Sequence, residues 1–214
     1  MREFWTGVLA LGLIAAALFA GSAAARGGNH DCDDTTGTFY SSHFNPSGDN
    51  IVAGYYTSTG PFPGEPQESL VAKNTPTDGG TPSSLGCGGD PGTWTLFLSE
   101  LGPGDDSVRL DAKDLEVAGQ DPQALPKPMD SLLTGGGGSD VLRGHSGHDE
   151  MKGGPGGDVL RPLGGRDLAA GGAGADVIRA ADGARDTVSC GKGPDKAVVD
   201  KRDDVSGCED LIER

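Results

Sequence analysis

The chain has 214 residues, of which 38 are glycine and 14 are proline, while only 5% are aromatic. A chain of this composition cannot build a large apolar core, so another source of stability must offset the entropy lost in ordering so much glycine. The formal net charge of −15 argues against a nucleic-acid partner, because phosphate binding requires a basic patch, and it favours either cation binding or a simple role in solubility.

The N-terminal segment, residues 1–25, has the pattern of a secretory signal peptide. Arg2 gives a positive start, residues 8–19 are almost wholly apolar, and residues 23–25 (AAA) form a small-residue cleavage site before Arg26. The alternative is an uncleaved membrane anchor, which needs about 20 apolar residues, more than this run contains. We therefore expect an exported chain that has no membrane span after cleavage.

Export would place the four cysteines in an oxidising compartment, where disulfides are the expected state. Four cysteines allow three pairings, and their spacing favours Cys32 with Cys87 and Cys190 with Cys208. A zinc site is disfavoured, because no two cysteines are close enough in sequence to form a C-x₂-C ligand pair.

Residues 26–120 are predicted to form a small, irregular all-β domain. Short strand-like runs occur at residues 38–40, 51–57, 69–72 and 93–98. Stretches rich in glycine and proline separate these runs. The next segment, residues 121–130, contains three prolines and is predicted to be a stiff linker.

A nine-residue period begins at Gly135. Its five units are GGGGSDVLR (135–143), GHSGHDEMK (144–152), GGPGGDVLR (153–161), PLGGRDLAA (162–170) and GGAGADVIR (171–179). Every unit has aspartate at its sixth position and an apolar residue two places later. A flexible glycine-rich linker, the alternative interpretation, would not keep both positions in phase through five units.

Three of the five units match the pattern G-G-x-G-x-D-x-U-x, in which U is a large aliphatic residue. On these units, residues 135–200 resemble the haemolysin-type, or RTX, calcium-binding nonapeptide repeats. The resemblance implies a parallel β-roll over residues 131–214, in which GGxGxD forms a turn and x-U-x a short strand. Two nonapeptide units then make one coil. The expected fold class is therefore all-β, with an RTX-type solenoid after the small irregular β domain.

The resemblance also implies where Ca²⁺ binds: between turns that lie two units apart, through turn carbonyls and the sixth-position carboxylates. Asp140 would share an ion with turn 153–158, Asp158 with turn 171–176, and Asp149 with turn 162–167. The full set of candidate metal ligands is Gly135, Gly137, Asp140, Gly144, Ser146, Asp149, Gly153, Pro155, Asp158, Asp167, Gly171, Ala173, Asp176 and Asp195.

The pattern is imperfect at two places. Pro162 and Leu163 replace the glycine pair of the fourth unit, so we expect only about two to four ions. A one-residue insertion after Ala180 shifts the period, and with it Asp186 and Asp195 continue the aspartate series.

The apolar residues of such a roll fill a core one side chain wide, which is too thin to be stable alone, so Ca²⁺ is expected to be a requirement for folding. Cys190 and Cys208 would lie one coil apart, and their bridge would cap the last coil. Residues 101–109 (LGPGDDSVR) lack only the first glycine of the motif and are a candidate for one more coil.

The expected function is that of a non-catalytic, secreted or cell-envelope Ca²⁺-binding protein, since neither G-x-S-x-G nor H-E-x-x-H occurs in the sequence. Two alternatives stay open. Arg143, Arg161 and Arg179 recur once in every second unit, and they either grip an anionic extracellular glycan in an adhesion protein or form a solvated column. The other alternative is an exported hydrolase, whose catalytic part would have to lie within residues 30–128.

Overall fold

The computed structural model describes residues 29–33, 38–42, 48, 50–59, 66–75, 77, 83–88, 96–110, 121–123 and 129–214. The first eight strands in chain order are β1 (Asn29–Asp33), β2 (Thr38–Ser42), β3 (Asn50–Thr59), β4 (Pro66–Asn74), β5 (Ser83–Gly88), β6 (Leu96–Glu100), β7 (Ser107–Leu110) and β8 (Asp121–Gln123). The others are β9 (Asp130–Thr134), β10 (Val141–Arg143), β11 (Asp149–Pro155), β12 (Val159–Arg161), β13 (Leu168–Ala173), β14 (Val177–Arg179), β15 (Thr187–Lys192), β16 (Lys196–Val199), β17 (Asp204–Ser206) and β18 (Asp210–Glu213). The described residues contain no helix with the length and hydrophobicity needed to cross a membrane.

The strands form two sheets. The first sheet has the order β1-β2-β6-β9-β11-β13-β15-β17, and the second has the order β18-β16-β14-β12-β10-β7-β3-β4-β5, with β8 also paired to β3. From β9 onward, consecutive strands lie in opposite sheets and every pairing is parallel. The chain therefore winds as a parallel β-solenoid of about five turns, and the predicted β-roll is confirmed.

The register follows the sequence period. Val141 pairs with Val159 and Val159 with Val177, so each coil corresponds to two repeat units. The next coil is longer by a single residue, because Val177 pairs with Lys196, and this confirms the predicted insertion. The last coil is shorter, with Lys196 paired to Asp210.

The core of the roll is a single layer of side chains between the two sheets. Because strand side chains alternate, the central residue of each three-residue strand β10, β12 and β14 points inward, and its neighbours point outward. The fully buried apolar residues that the repeat places at this position are Leu142, Met151, Leu160, Ala169, Ile178, Val188 and Ala197. This thin core is the one that the repeat pattern predicts.

The two sheets extend upstream of the repeats. Strand β7 is parallel to β10, and Pro103 forms a bridge with Gly137, so residues 101–109 extend the roll upstream by one turn and one strand, half of a coil. Strand β3 is parallel to β7 on its other side, while β4 and β5 follow as antiparallel strands. The proposed boundary of the N-terminal domain stays a prediction, as does the linker, in which residues 121–123 form β8.

A disulfide joins Cys190 in β15 to Cys208, which follows β17, with the two Cα atoms 5.1 Å apart. This pairing was predicted from the sequence and is confirmed. The predicted Cys32–Cys87 bridge involves side chains outside the described part of the structure. The predicted signal peptide over residues 1–25 also lies outside it, so both stay predictions.

Candidate metal centres

The turns of the roll lie along two edges. The turns that lead from the first sheet to the second form what we call the glycine edge: residues 101–106, 135–140, 153–158, 171–176 and 190–195. The turns that lead from the second sheet back to the first form the irregular edge: residues 144–149, 162–167, 180–186 and 200–203. Each turn carries one aspartate at the place where the next strand begins.

Neighbouring turns of the glycine edge approach one another backbone to backbone. Gly154 and Gly156 have φ values of +122° and +148°, which L-residues rarely adopt. A Cβ atom at Gly156 would lie 1.5 Å from the carbonyl oxygen of Gly138, one coil earlier. Glycine is therefore required here both for the backbone angle and for the close approach of the coils.

The aspartates of the glycine edge form a ladder, which consists of Asp106, Asp140, Asp158, Asp176 and Asp195. The backbone N–H of Asp106 donates to Oδ1 of Asp140, at 2.8 Å, and that of Asp140 donates to Oδ1 of Asp158, also at 2.8 Å. The same bond joins Asp158 to Asp176 and Asp176 to Asp195. One oxygen of each carboxylate from Asp140 onward is thus fixed by the preceding coil.

The irregular edge has an equivalent ladder, formed by Asp149, Asp167, Asp186 and Asp203. The N–H of Asp149 donates to Oδ1 of Asp167 and that of Asp167 donates to Oδ1 of Asp186, each at 2.9 Å. The N–H of Asp186 donates in turn to Oδ1 of Asp203, at 3.0 Å. The aspartate ladder therefore does not require glycine four residues before the ladder aspartate, where the irregular edge has His145, Leu163 and Asp182.

The second carboxylate oxygen, Oδ2, is the unusual feature of both ladders. From Asp140 onward, six ladder aspartates bury an Oδ2 atom that has no hydrogen-bond partner: Asp140, Asp158, Asp167, Asp176, Asp186 and Asp195. Each of these residues is at most 2% exposed. A buried ionised oxygen without a partner is costly, so these positions need either protons or cations.

The acid–base behaviour of the ladders reflects this burial. The pKa of Asp140 is raised to about 6, chiefly by burial and also by the nearby carboxylate of Asp158, against the lowering effect of the N–H of Asp106. Burial likewise raises the pKa of Asp167 to about 7 and that of Asp186 to about 6. A bound divalent cation would favour the ionised form and reverse these shifts.

On the glycine edge, Oδ2 points to the place where the first glycine of the turn lacks a side chain. A Cβ atom at Gly153 would lie 2.3 Å from Oδ2 of Asp158 and 2.6 Å from the carbonyl oxygen of Gly171. A Cβ atom at Gly171 would lie 2.5 Å from Oδ2 of Asp176 and 2.5 Å from the carbonyl oxygen of Cys190. A carboxylate oxygen and a carbonyl oxygen of the next coil thus meet at each of these positions. Ca²⁺ takes six to eight such hard oxygen ligands, so the donor set fits it.

The other predicted ligands of the glycine edge lie in the same turns. A Cβ atom at Gly135 would lie 2.3 Å from Oδ2 of Asp140 and 2.8 Å from the carbonyl oxygen of Gly153. The carbonyls at the third turn position accept hydrogen bonds between coils: Gly137 from Gly104, Pro155 from Gly138, and Ala173 from Gly156. A carbonyl oxygen has a second lone pair, so these carbonyls can still bind a cation.

The first turn of the irregular edge is different. Asp149 uses both carboxylate oxygens within the protein, since Oδ1 accepts from Oγ of Ser131 and Oδ2 accepts from the N–H of His145. The side chain of Ser146 is exposed and lies beside the ring of His145. A Cβ atom at Gly144 would lie 2.2 Å from Oδ2 of Asp149. The structure thus brings Gly144 and Asp149 together, but with no unpartnered carboxylate oxygen.

Two members of a further acidic group, Asp182 and Asp186, were not among the predicted ligands. Asp167, Asp182 and Asp186 each place one carboxylate oxygen within 4.8 Å of the other two. Asp186 continues the aspartate series, but Asp182 lies in the insertion that breaks the repeat. The sequence signal that could have identified this group is the pair of aspartates four residues apart in DGARD, residues 182–186. The assignment of individual ligands, including the predicted set, stays a prediction.

The comparison with known families agrees with this geometry. Residues 130–160 and 163–195 match the family model of the RTX calcium-binding nonapeptide repeat, in four copies. Residues 130–195 are an RTX repeat segment. RTX repeats bind Ca²⁺, so Ca²⁺ is the cofactor of this roll. No match was found for the chain among curated proteins or among solved structures.

Proposed function

We propose that the chain is a secreted, non-catalytic calcium-binding protein whose β-roll folds when Ca²⁺ binds. The observation that carries this proposal is the set of six buried Oδ2 atoms without hydrogen-bond partners. In an extended chain these carboxylates would be hydrated and far apart. Folding removes these carboxylates from water and stacks them. A cation that binds the stacked carboxylates therefore stabilises the folded state over the unfolded state.

The thin core strengthens this coupling. Each repeat unit contributes one inward apolar residue to the core, and at positions 169 and 197 that residue is alanine. Such a core offers little apolar burial to offset chain entropy and the repulsion among buried carboxylates. Metal binding then supplies the missing stability, so the roll should stay disordered where Ca²⁺ is scarce, as it is inside cells, and fold outside.

Two features support secretion and a structural role. The Cys190–Cys208 bridge fits an oxidising compartment, and residues 1–25 have the pattern of a signal peptide. The buried acidic groups of the described residues are distributed along two ladders and do not converge on a cleft. This distribution favours repeated cation binding over catalysis.

A calcium titration of the purified protein tests the proposal. Far-UV circular dichroism should show a mostly disordered C-terminal region in metal-stripped protein and a gain of β signal as Ca²⁺ is added. The expected midpoint is on the order of 10⁻⁴ to 10⁻³ M, as in extracellular calcium modules. Mg²⁺ at the same concentration is the control and should give little change. A spectrum that is equally ordered with and without Ca²⁺ would contradict the proposal.

A second candidate function, adhesion to an anionic glycan, is favoured by a column of arginines on the outer face of the second sheet. Arg143 pairs in register with Arg109 on one side and Arg161 on the other, and Arg179 continues the spacing. The Nε atoms of Arg143 and Arg161 are buried without a hydrogen-bond partner. Guanidinium groups at strand spacing, about 4.8 Å apart, match a polymer with regularly placed carboxylates.

This second candidate can be tested separately with polygalacturonate as the probe. Replacing Arg143, Arg161 and Arg179 together with glutamine should abolish calorimetric binding of the polymer in the presence of Ca²⁺. The matched control replaces three exposed basic residues elsewhere on the roll, Arg166, Lys201 and Arg202, and changes the net charge equally. Equal binding of polygalacturonate by both triple variants would show that the arginine column is a solvated surface feature and does not bind the polymer.

A further inference from the structure

The irregular edge contains a group of three carboxylates that differs from the turns of the glycine edge. One oxygen each from Asp167, Asp182 and Asp186 lies within 4.8 Å of the other two. Asp167 and Asp186 belong to successive turns and are 2% and 1% exposed, whereas Asp182 is exposed. Two oxygens bound to one Ca²⁺ ion at about 2.4 Å can be at most about 4.8 Å apart, so the three carboxylates meet the pairwise distance limit for ligands of a single ion.

An independent observation shows that two of these carboxylates each have an oxygen that can still bind a cation. Oδ1 of Asp167 accepts from the N–H of Asp149, and Oδ1 of Asp186 accepts from the N–H of Asp167. Oδ2 of Asp167 and Oδ2 of Asp186 are buried without a partner. Oδ2 is therefore the oxygen that each of these two residues has left to offer to a cation.

Asp182 is the solvent-exposed member of the group. Its Oδ1 accepts from the N–H of Ala184, at 2.7 Å, which fixes the side chain against its own turn. Its Oδ2 reaches toward the preceding turn of the same edge, where a Cβ atom on Gly164 would lie 3.9 Å from it. Asp182 thus presents its second oxygen to the turn that ends at Asp167.

The position of Asp182 within its turn explains why this site differs from the others. It lies four residues before the ladder aspartate Asp186, as Gly172 lies four residues before Asp176. In the preceding turn of the irregular edge that place is taken by Leu163, which has a φ of +76°. At the position four residues before the ladder aspartate, the glycine edge has glycine, whereas this turn has the third carboxylate.

We infer that Asp167, Asp182 and Asp186 form a separate Ca²⁺ site, dominated by side-chain ligands, which fills before the sites of the glycine edge. The inference rests on the proposed calcium-dependent function of the roll. Affinity for Ca²⁺ rises with the number of charged ligands, and an ion between two glycine-edge turns has at most two ladder carboxylates. This site has three, so we expect its affinity to be higher by about tenfold.

Native mass spectrometry and isothermal calorimetry on the purified protein test this inference. In the wild type, the first ion should bind about tenfold more tightly than the rest. Asp182→Asn keeps the acceptor for the N–H of Ala184 but removes the charge, so it should eliminate this first step and leave the later ions in place. The control is Asp210→Asn, which changes an exposed aspartate of β18 and should titrate like the wild type.

The outcomes separate this inference from the proposed function. A wild-type protein that binds no Ca²⁺ would overturn both. If the wild type binds Ca²⁺ and Asp182→Asn titrates identically, the proposed function stands and the separate site does not. Asp182→Ala removes both the charge and the acceptor. If only this variant loses the first ion, Asp182 acts on turn structure, and the inference is again overturned.

Discussion

The two edges of the roll carry the same aspartate ladder on different turns. On both edges the N–H of one ladder aspartate donates to Oδ1 of the next, at 2.8 Å between Asp140 and Asp158 and at 2.9 Å between Asp149 and Asp167. The glycine edge achieves this with positive-φ glycines, whereas the irregular edge has histidine, leucine and aspartate at the equivalent place. The ladder hydrogen bond therefore forms on both edges whichever residue occupies this place, and the glycines of the glycine edge have a further role.

The further role of these glycines is visible where the two edges differ. At Gly153 the missing side chain leaves a space into which Oδ2 of Asp158 and the carbonyl oxygen of Gly171 both point. On the irregular edge, the N–H of His145 satisfies Oδ2 of Asp149, and the group at Asp182 adds a carboxylate. The glycine edge thus offers backbone oxygens to cations, and the irregular edge offers side chains.

The largest expected effect comes from adding a methyl group on the glycine edge. Gly156→Ala should destabilise the calcium-loaded roll by roughly 3 kcal/mol or more, because the new Cβ would meet the carbonyl of Gly138 and the φ of +148° is strained for alanine. Chemical denaturation in excess Ca²⁺ measures this change. The matched control is Gly137→Ala, since a Cβ atom there would meet nothing within 4 Å. Equal losses in both variants would show that the close approach of the coils has been misassigned.

A smaller effect is expected from replacing a ladder aspartate, and one aspartate from each edge can be compared. Asp158→Asn keeps an oxygen for the N–H of Asp140 but loses the charge of the unpartnered Oδ2, so the Ca²⁺ midpoint should rise about tenfold, or about 1.4 kcal/mol. Asp149→Asn should raise the midpoint by about threefold or less, because both oxygens of Asp149 are already hydrogen-bonded within the protein. The measurement is the circular dichroism titration. A larger rise for Asp149→Asn would reverse the assignment of the two edges.

A third prediction concerns the effect of acid on metal-stripped protein. The folded-state pKa values of Asp140 and Asp167 are raised to about 6 and about 7, above the ordinary value of 3.8. The stability that these groups contribute to the metal-free fold is then fully present below about pH 4 and lost as the pH rises through 6 to 7. Metal-stripped protein should therefore be more ordered at about pH 5 than at about pH 8, by circular dichroism. Greater order at the higher pH would show that the carboxylates are not buried without metal.

Much of the roll could be predicted because the repeat specifies it locally. The nine-residue spacing of aspartate and apolar residues defines the turns and the inward positions, and two units define the coil that pairs Val141 with Val159. The pairing of Cys190 with Cys208 follows from the same two-unit step. The insertion after Ala180 was also readable, since Asp195 keeps its place in the ladder.

Other features depend on contacts that no local pattern encodes. The run at residues 51–57 indicates a strand, but its placement beside β7 in the second sheet depends on long-range pairing. Asp182 was missed because it lies where the repeat phase is broken, and its role appears only when turn 180–186 stacks on turn 162–167. The free state of each Oδ2 is likewise a property of the stacked coils, since it depends on which oxygen the preceding coil engages.

Hydrogen exchange tests the central claim, that cations stabilise the stacked aspartates, most directly. The backbone N–H groups of Asp140, Asp158 and Asp176 each donate to the next ladder carboxylate, so their protection reports on stacking of the coils. Exchange should be measured on the purified protein with saturating Ca²⁺ and after removal of metal. We predict strong protection of these amides with Ca²⁺ and near-complete loss of protection without it. Equal protection in both conditions would contradict the account.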